Sequence, residues 1–266
     1  MKLSVVIPAR NEEGTVGETV DAIRARLESE RIDWELVVVD DGSTDGTPGV
    51  VGARGVADPR VRLVSNPGPH GFGHAVRVGL DAFTGDAVVI MMADGSDAPD
   101  DLVRYYYVLR DQAECAFGSR FVRGGRTERY PRFKLAVNRL ANTLVRLLFG
   151  LRYNDVTNAF KGYRATVIQG CRPLLAAHFN LTVELPLKAI VRGYSYQVLP
   201  ISWRQRKAGV SSLKLQEMGS RYLFIVLYVL LERLLSRGDY RRAVGERFEP
   251  FPRPVPSHRP DVHDGR

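Results

Sequence analysis

The 266-residue chain has only two cysteines, Cys115 and Cys171, too far apart in sequence for the close pairing of a metal or redox motif. A disulfide scaffold and a cysteine-built zinc site are excluded, and buried thiols in a reducing compartment are expected. Long apolar runs are equally scarce. The most hydrophobic stretch, YLFIVLYVLL at Tyr222–Leu231, is ten residues long, whereas a membrane-spanning helix needs about 20. No transmembrane helix is expected. The opening MKLSVVIPARNEE runs straight into a strand and a polar turn, which is not the pattern of a secretory leader. No internal repeat is present. The arginines are spread along the chain rather than interleaved with stacking aromatics, so nucleic acid is not an expected partner.

What is present is an ordinary globular composition, 44% hydrophobic and 26% charged, with a formal charge of +8. That balance favours anionic partners such as phosphorylated substrates or acidic lipid. The length suits one large α/β domain with an appendage. Leu3–Ile7 reads as a β-branched strand stopped by Pro8, and Thr15–Ser29 as a helix with Val16, Val20, Ile23 and Leu27 on one face. Leu36–Val39, Val61–Val64 and Ala87–Ala93 read as further strands, and Gly73–Phe83 as a helix after the glycine-rich turn PGPHGFG. Strands alternating with helices at this spacing imply right-handed crossovers and a largely parallel sheet. Beyond about Gly118 the pattern changes. Pro131–Phe149 is helical and apolar but carries Lys134, Arg139 and Arg146; Tyr196–Trp203 reads as a strand and Leu213–Ser236 as one or two helices. The expected division is 1–212 for the main domain, 213–237 for amphipathic interface helices, and 238–266 for a basic, proline-rich, disordered tail.

The chemistry gathers at strand ends. The run ending in VVIMMADGSDAP breaks at Asp94 into a turn with Ser96, Asp97, Asp100 and Asp101. A short apolar run of this kind is a buried strand, and the carboxyl edge of an open α/β sheet is where ligands bind. Pro8–Glu12 and Asp40–Asp41 stand at two other strand ends. Carboxylates so placed can accept hydrogen bonds from a ribose or base, or hold a hard divalent cation with nucleotide phosphates.

On these residues the chain resembles the family 2 inverting glycosyltransferases, in particular the dolichol-phosphate mannosyltransferase-like branch. The resemblance covers roughly residues 2–237 and rests on VVIPARNEE, VVVDDGSTDGT, NPGPHGFGHAVRVGL, MMADGSDAPDDL, GSRFVRGG, DVTNAFKGYR and ISWRQRKAGVSSLKLQEM. It implies an α/β GT-A fold, a nucleotide-diphosphate sugar donor (GDP-mannose first, a UDP-hexose second), and Mg²⁺ or Mn²⁺. It also implies a polyprenyl or dolichyl phosphate acceptor, and a peripheral place on the cytoplasmic membrane face. A separate anchoring protein is the alternative route to the membrane. Pro8, Ala9, Arg10 and Glu12, with Asp40, Asp41, Ala93 and Asn138, match donor-binding positions. Asp94 matches the last acid of the family's Asp-x-Asp metal motif, whose first acid is Met92 here, so Asp97 is the candidate second ligand. Arg120, Lys134 and Arg206 match cations around the donor and acceptor phosphates. Lys134 replaces the more usual arginine, Asn138 a serine, and Ser212 a lysine that Arg206, Lys207 and Lys214 could replace. Glu184 is a candidate to orient one of these arginines.

No general base stands out, and none is needed for this acceptor. A lipid phosphate monoester is largely dianionic at neutral pH, with its second pKa near 6. Catalysis then rests on positioning two anions and stabilising charge, with direct displacement inverting the anomeric centre. Two alternatives remain at this level: transfer to a soluble or polysaccharide hydroxyl, with Asp97 or Asp155 as base, and a non-catalytic sugar-nucleotide-binding protein. The apolar helices with flanking arginines, Val137–Phe149 and Tyr222–Leu235, have the makeup of membrane-interface helices.

Overall fold

The computed structural model describes residues 1–128, 130–204, 215–242 and 248–251. The first half alternates strand and helix: β1 (Lys2–Ala9), α1 (Val16–Ser29), β2 (Asp33–Asp40), α2 (Thr47–Ala57), β3 (Val61–Ser65), α3 (Phe72–Ala82), β4 (Ala87–Ile90), α4 (Pro99–Asp111) and β5 (Cys115–Ser119). There follow β6 (Arg126–Glu128), α5 (Arg132–Phe149), β7 (Lys161–Arg164), α6 (Ala165–Gly170), α7 (Leu181–Val191), β8 (Tyr196–Pro200), β9 (Ser202–Arg204) and α8 (Leu215–Leu235). The main sheet has the order β3-β2-β1-β4-β7-β5-β8. It is parallel except at β7, which runs antiparallel to both neighbours. β6 and β9 form a separate two-stranded ribbon. Valines and isoleucines of β1, β2 and β4 are buried on both faces, one packed under α1 and α4, the other under α3, α6 and α7.

Two strand ends differ from the sequence expectation. β1 continues through Pro8 because that residue faces the β4 side. Val6 O accepts from Met91 N on that side (3.0 Å), and Ala9 O accepts from Asp41 N on the other (2.9 Å). Pairing with β4 stops at Val6 and Ile90, so the missing proline N–H leaves no ladder bond unmade. β4 itself ends at Ile90, where its partner β7 begins at Lys161. Met91 and Ala93 stay buried without continuing the ladder. The Tyr196–Trp203 strand is divided at Ile201 between β8 and β9.

At the opposite edge of the sheet, Glu35 is 3% exposed. It accepts hydrogen bonds from Ser4 Oγ (2.7 Å), Thr84 N (2.6 Å) and Thr84 Oγ1 (2.9 Å). Burial alone would raise its pKa, but these donors with Lys2 hold it at about 2. A folded-state pKa below the unfolded value gives stability that is full above about pH 4.5 and is lost as pH falls toward 2. Glu35→Gln is expected to cost about 2 kcal/mol at neutral pH and to shrink the loss of melting temperature across that acid window. An unchanged acid limb would contradict this role.

The carboxy-terminal elements dock on the domain. Arg192 donates to both oxygens of Glu232 (2.8 and 2.9 Å) in a buried pair between α7 and α8. Arg233 Nη1 reaches Phe149 O at the end of α5 (2.6 Å). α5 and α8 leave a broad apolar surface, with Phe133, Leu140, Leu144, Leu147, Leu223, Phe224, Leu227, Leu231 and Leu234 exposed. Part of the tail is described, at residues 238–242 and 248–251. The Arg164 guanidinium lies 4.2 Å from the Phe248 ring and 4.5 Å from the Phe251 ring, and Phe251 N bonds Arg110 O (2.9 Å). Cation–π stacking and backbone pairing fix residues whose composition alone reads as disordered.

Candidate active site

The carboxyl edge of the sheet brings three loops together. The loop after β1 is joined to the loop after β2 by side chain–backbone bonds. Asn11 N donates to Ser43 Oγ (3.0 Å), Thr44 N to Asn11 Oδ1 (2.8 Å), Glu12 N to Thr47 Oγ1 (2.8 Å) and Gly46 N to Glu13 Oε2 (3.0 Å). The DGSTDGT segment thus clamps the first loop as well as starting α2. Pro8 and Ala9 are buried beneath this clamp, Arg10 is exposed above it, and Glu12 accepts from Thr15 Oγ1 (2.8 Å).

The paired acids after β2 diverge. Asp40 accepts from Ser43 N through Oδ1 (3.2 Å), and its Oδ2 has no hydrogen-bond partner among the described residues. Asp41 turns into the glycine-rich loop. Its Oδ1 accepts from Asn66 Nδ2 (2.6 Å), with His70 Nδ1 at 3.3 Å, and its Oδ2 from Gly71 N (2.8 Å). Both oxygens therefore accept hydrogen bonds from within the protein. The glycine turn is likewise occupied with packing. Gly71 N is used by Asp41 and His74 N by Ala177 O (3.2 Å), so neither amide is offered to a ligand. A Cβ at Gly73 would stand 2.5 Å from Ala176 O, which is why glycine is required there.

The third loop holds Asp94. Its Oδ1 accepts from Ser96 N (3.1 Å), and its Oδ2 has no partner among the described residues. Ala93 is buried, with its carbonyl bonded to Thr19 Oγ1 (3.0 Å). Asp97 is buried, and its Oδ2 accepts from Met92 N (3.0 Å). Burial raises its pKa to about 7 against the Met92 amide, and the nearby Asp94 charge adds to the rise. Asp97 closes the loop on itself and bridges to Trp203 of β9. Arg204 N bonds Ser96 O (3.1 Å), so the ribbon is held directly against the Asp94 turn. The Trp203 and Tyr130 rings meet at 5.1 Å beside it.

Arg120 departs most from expectation. Nε and Nη2 donate to Asp155 Oδ2 (2.8 Å) and Oδ1 (2.7 Å), and its backbone N also reaches Oδ2 (2.9 Å). The pair is buried, and the Asp155 charge raises the Arg120 pKa against the cost of burial. Arg120 thereby ties the end of β5 to the Asp155 loop, and its Nη1 is without a hydrogen bond among the described residues. Asn138 is also engaged, donating to Thr157 Oγ1 (2.9 Å) while its Oδ1 accepts from Asn142 (2.8 Å). Lys134 is exposed on the first turn of α5 and forms no ion pair among the described residues. Arg206, Lys207, Ser212 and Lys214 lie outside the described residues.

Sequence reading named Asp155 and the DVTNAFKGYR motif, but not the hub that Asp155–Asn158 forms with Lys161. The buried Lys161 Nζ donates to Val156 O (2.9 Å), Asn158 O and Thr182 O (3.1 Å), and burial lowers its pKa to about 7. One short loop thereby joins Arg120, α5 through Thr157, and α7 through Thr182. Glu184 belongs to a different buried cluster. It accepts from Leu175 N (2.8 Å), Ala176 N (2.7 Å) and Lys188 Nζ (2.7 Å), and so orients none of the arginines named above.

Residues 4–171 match the family model described as Glycosyl transferase family 2. The chain belongs to this family. It is 33% identical to the polyprenol monophosphomannose synthase of Mycolicibacterium smegmatis over 79% of this chain and 80% of that protein. It is 27% identical to the undecaprenyl-phosphate mannosyltransferase of Micrococcus luteus over 80% of this chain and 88% of the relative. Among solved structures, glucosyl-3-phosphoglycerate synthase from Mycobacterium tuberculosis, in complex with Mn²⁺, UDP and glucosyl-3-phosphoglycerate, superposes with a TM-score of 0.64. That match has 22% identity and covers 87% of this chain and 79% of the neighbour, a likeness of fold. This family 2 glycosyltransferase therefore has the expected GT-A architecture. No described helix is long and apolar enough to cross a membrane.

A divalent cation suits the donor set in one way only. Among the described residues no three His, Cys, Asp or Glu side chains converge as a metal cage. The free oxygen of Asp94 fits a cation shared with a diphosphate, since Mg²⁺ commonly takes one or two protein carboxylates and keeps its waters.

Proposed function

We propose that this glycosyltransferase moves mannose from a nucleotide-diphosphate sugar to the phosphate of a polyprenyl lipid, with inversion. The observation that carries the reading is the wiring of α5. Its outer face is apolar and exposed, while Asn138 and Asn142 bind Thr157 of the loop that pairs Asp155 with Arg120. An interface helix that touches the substrate-side loop suits an acceptor whose tail is in lipid and whose phosphate must reach the sheet edge. The two mannosyltransferase relatives support the same acceptor and sugar.

In this reading Asp40 receives the nucleoside and Asp94 the donor diphosphate. Asp94 would hold Mg²⁺ or Mn²⁺, which when bound would supply positive charge to the leaving nucleoside diphosphate. Lys134 and Arg206 offset the repulsion between the two anions, and no side chain needs to take a proton from the dianionic acceptor. Residues 1–212 form the transferase domain and 213–237 the interface segment, resting peripherally on the cytoplasmic face.

The test uses the full chain with polyprenyl phosphate in anionic vesicles, a panel of GDP-mannose, UDP-glucose and UDP-N-acetylhexosamine, and Mg²⁺, Mn²⁺ or chelator. Cation-dependent formation of lipid-phosphate mannose is expected from GDP-mannose. Transfer only to soluble hydroxyl acceptors would overturn the reading. Leu227→Asp with Leu231→Asp, both at exposed positions, is expected to weaken vesicle association by about ten-fold or more without changing nucleotide binding.

A further inference from the structure

Away from the donor edge, a cavity of about 360 Å³ opens along the outer side of α3, between that helix and the segment after α6. None of Pro8–Glu12, Asp40 or Asp94 lines it. His74, Arg77 and Asp81 contribute one stripe of α3, spanning about 10 Å at the helical rise, and Arg172 faces them from the other wall. Its polar wall is unevenly charged. Arg172 pairs with Asp81, an ion pair exposed at the rim. Arg77 instead spends its guanidinium on neutral groups, donating through Nη1 to Leu174 O (2.8 Å) and meeting His74 Nδ1 through Nη2 (2.5 Å). Burial and the Arg77 charge lower the His74 pKa, and the contact with His74 brings Arg77 no negative charge. No carboxylate pairs with Arg77 among the described residues.

The cavity is also built rather than incidental. The turn at its upper end is fixed by Asn66, which donates to Asp41 Oδ1 (2.6 Å) and Pro69 O (3.0 Å) and accepts from Gly68 N (3.1 Å). On the same side, Gly71 and Gly73 let the backbone of Ala176–His178 approach too closely for any Cβ, and His74 N bonds Ala177 O, tying the start of α3 to the loop before α7. A concave site with two arginines, one of them paired with the single acid, and an imidazole suits a compact anion such as a phosphate group. We propose that this cavity is a binding site for a phosphomonoester, separate from the donor and acceptor sites. Its volume exceeds what a bare phosphate needs and accommodates a phosphorylated monosaccharide.

The test is calorimetric titration of the full-length protein with inorganic phosphate and, separately, with a hexose 6-phosphate. Parallel titrations use Arg77→Gln and Arg172→Gln, with circular dichroism and nucleotide-sugar binding as controls for folding. Saturable millimolar or tighter binding of hexose 6-phosphate is expected, at least about ten-fold weaker in each folded variant. Equal affinity for inorganic phosphate would assign the site to free phosphate and overturn the phosphomonoester. Undetectable binding, or binding indifferent to both substitutions, would overturn the site. Arg172→Gln alters a rim residue and keeps the test decisive if Arg77→Gln does not fold.

Discussion

Asp94→Ala is expected to abolish sugar transfer while leaving the melting temperature within a few degrees of the parent. The Asp94 side chain is half-buried and makes one described hydrogen bond, to Ser96 N. Losing one such bond costs about 1 kcal/mol. Function depends on the other oxygen, the free carboxylate oxygen that the Asp94 turn presents to a cation and diphosphate. Met92 stands where a second acid would share that load, and a thioether does not ligate a hard cation. Asp97, buried with its pKa raised to about 7 and its Oδ2 accepting the Met92 amide, is the weaker candidate for a ligand. Removing Asp94 therefore removes the side-chain contribution to the cation outright, a loss expected at about 10²–10³ in kcat or more. Mn²⁺-dependent nucleotide binding, measured by titration calorimetry, is expected to disappear in parallel. An Asp94→Ala protein with parental activity would end the metal assignment.

The sequence made the frame legible because its signals are local. β-branched runs mark β1, β2 and β4, and the three-to-four-residue spacing of apolar side chains marks α1 and α5. β7 was not legible: KGYR is four residues long and has a lysine where a buried strand should be apolar. That lysine is tolerated because three carbonyls from two segments surround it, which no local pattern encodes. The site followed the same division. Asp40 and Asp94 were readable as strand-end acids. The partners of Asp41 were not legible, because the amides that bind it belong to Asn66 and Gly71, 25 and 30 residues further on. The partner of Arg120 was not legible for the same reason, Asp155 lying 35 residues away. An acid or a cation announces chemistry, but only the placement of distant donors decides which way it faces. The tail shows the converse, since Phe248 and Phe251 acquire order from Arg164 and not from their own neighbours.

The Arg120–Asp155 pair carries the largest expected effect on stability. Both side chains are buried, and Asp155 holds the backbone N as well as two guanidinium nitrogens of Arg120. Asp155→Ala leaves a buried guanidinium without its counter-ion, and Arg120→Ala leaves a buried carboxylate. Breaking one side of such a pair costs about 3–5 kcal/mol, a large share of the 5–15 kcal/mol by which a domain is usually stable. Urea unfolding of each single variant is expected to show that loss, so low activity in Arg120→Ala does not by itself identify a catalytic arginine. The double variant Arg120→Met with Asp155→Leu separates the two roles. Replacing both charges by apolar groups of similar size removes the unpaired charge, and stability is expected to return to within about 1 kcal/mol of the parent. Transfer is not expected to return with it. The loop from Asp155 to Asn158 would keep its ties to Lys161 and Asn142 but lose the fork that aligns it with β5, and with it the Nη1 group of Arg120 that has no described partner. Recovery of both stability and turnover in the double variant would reduce Arg120 to packing.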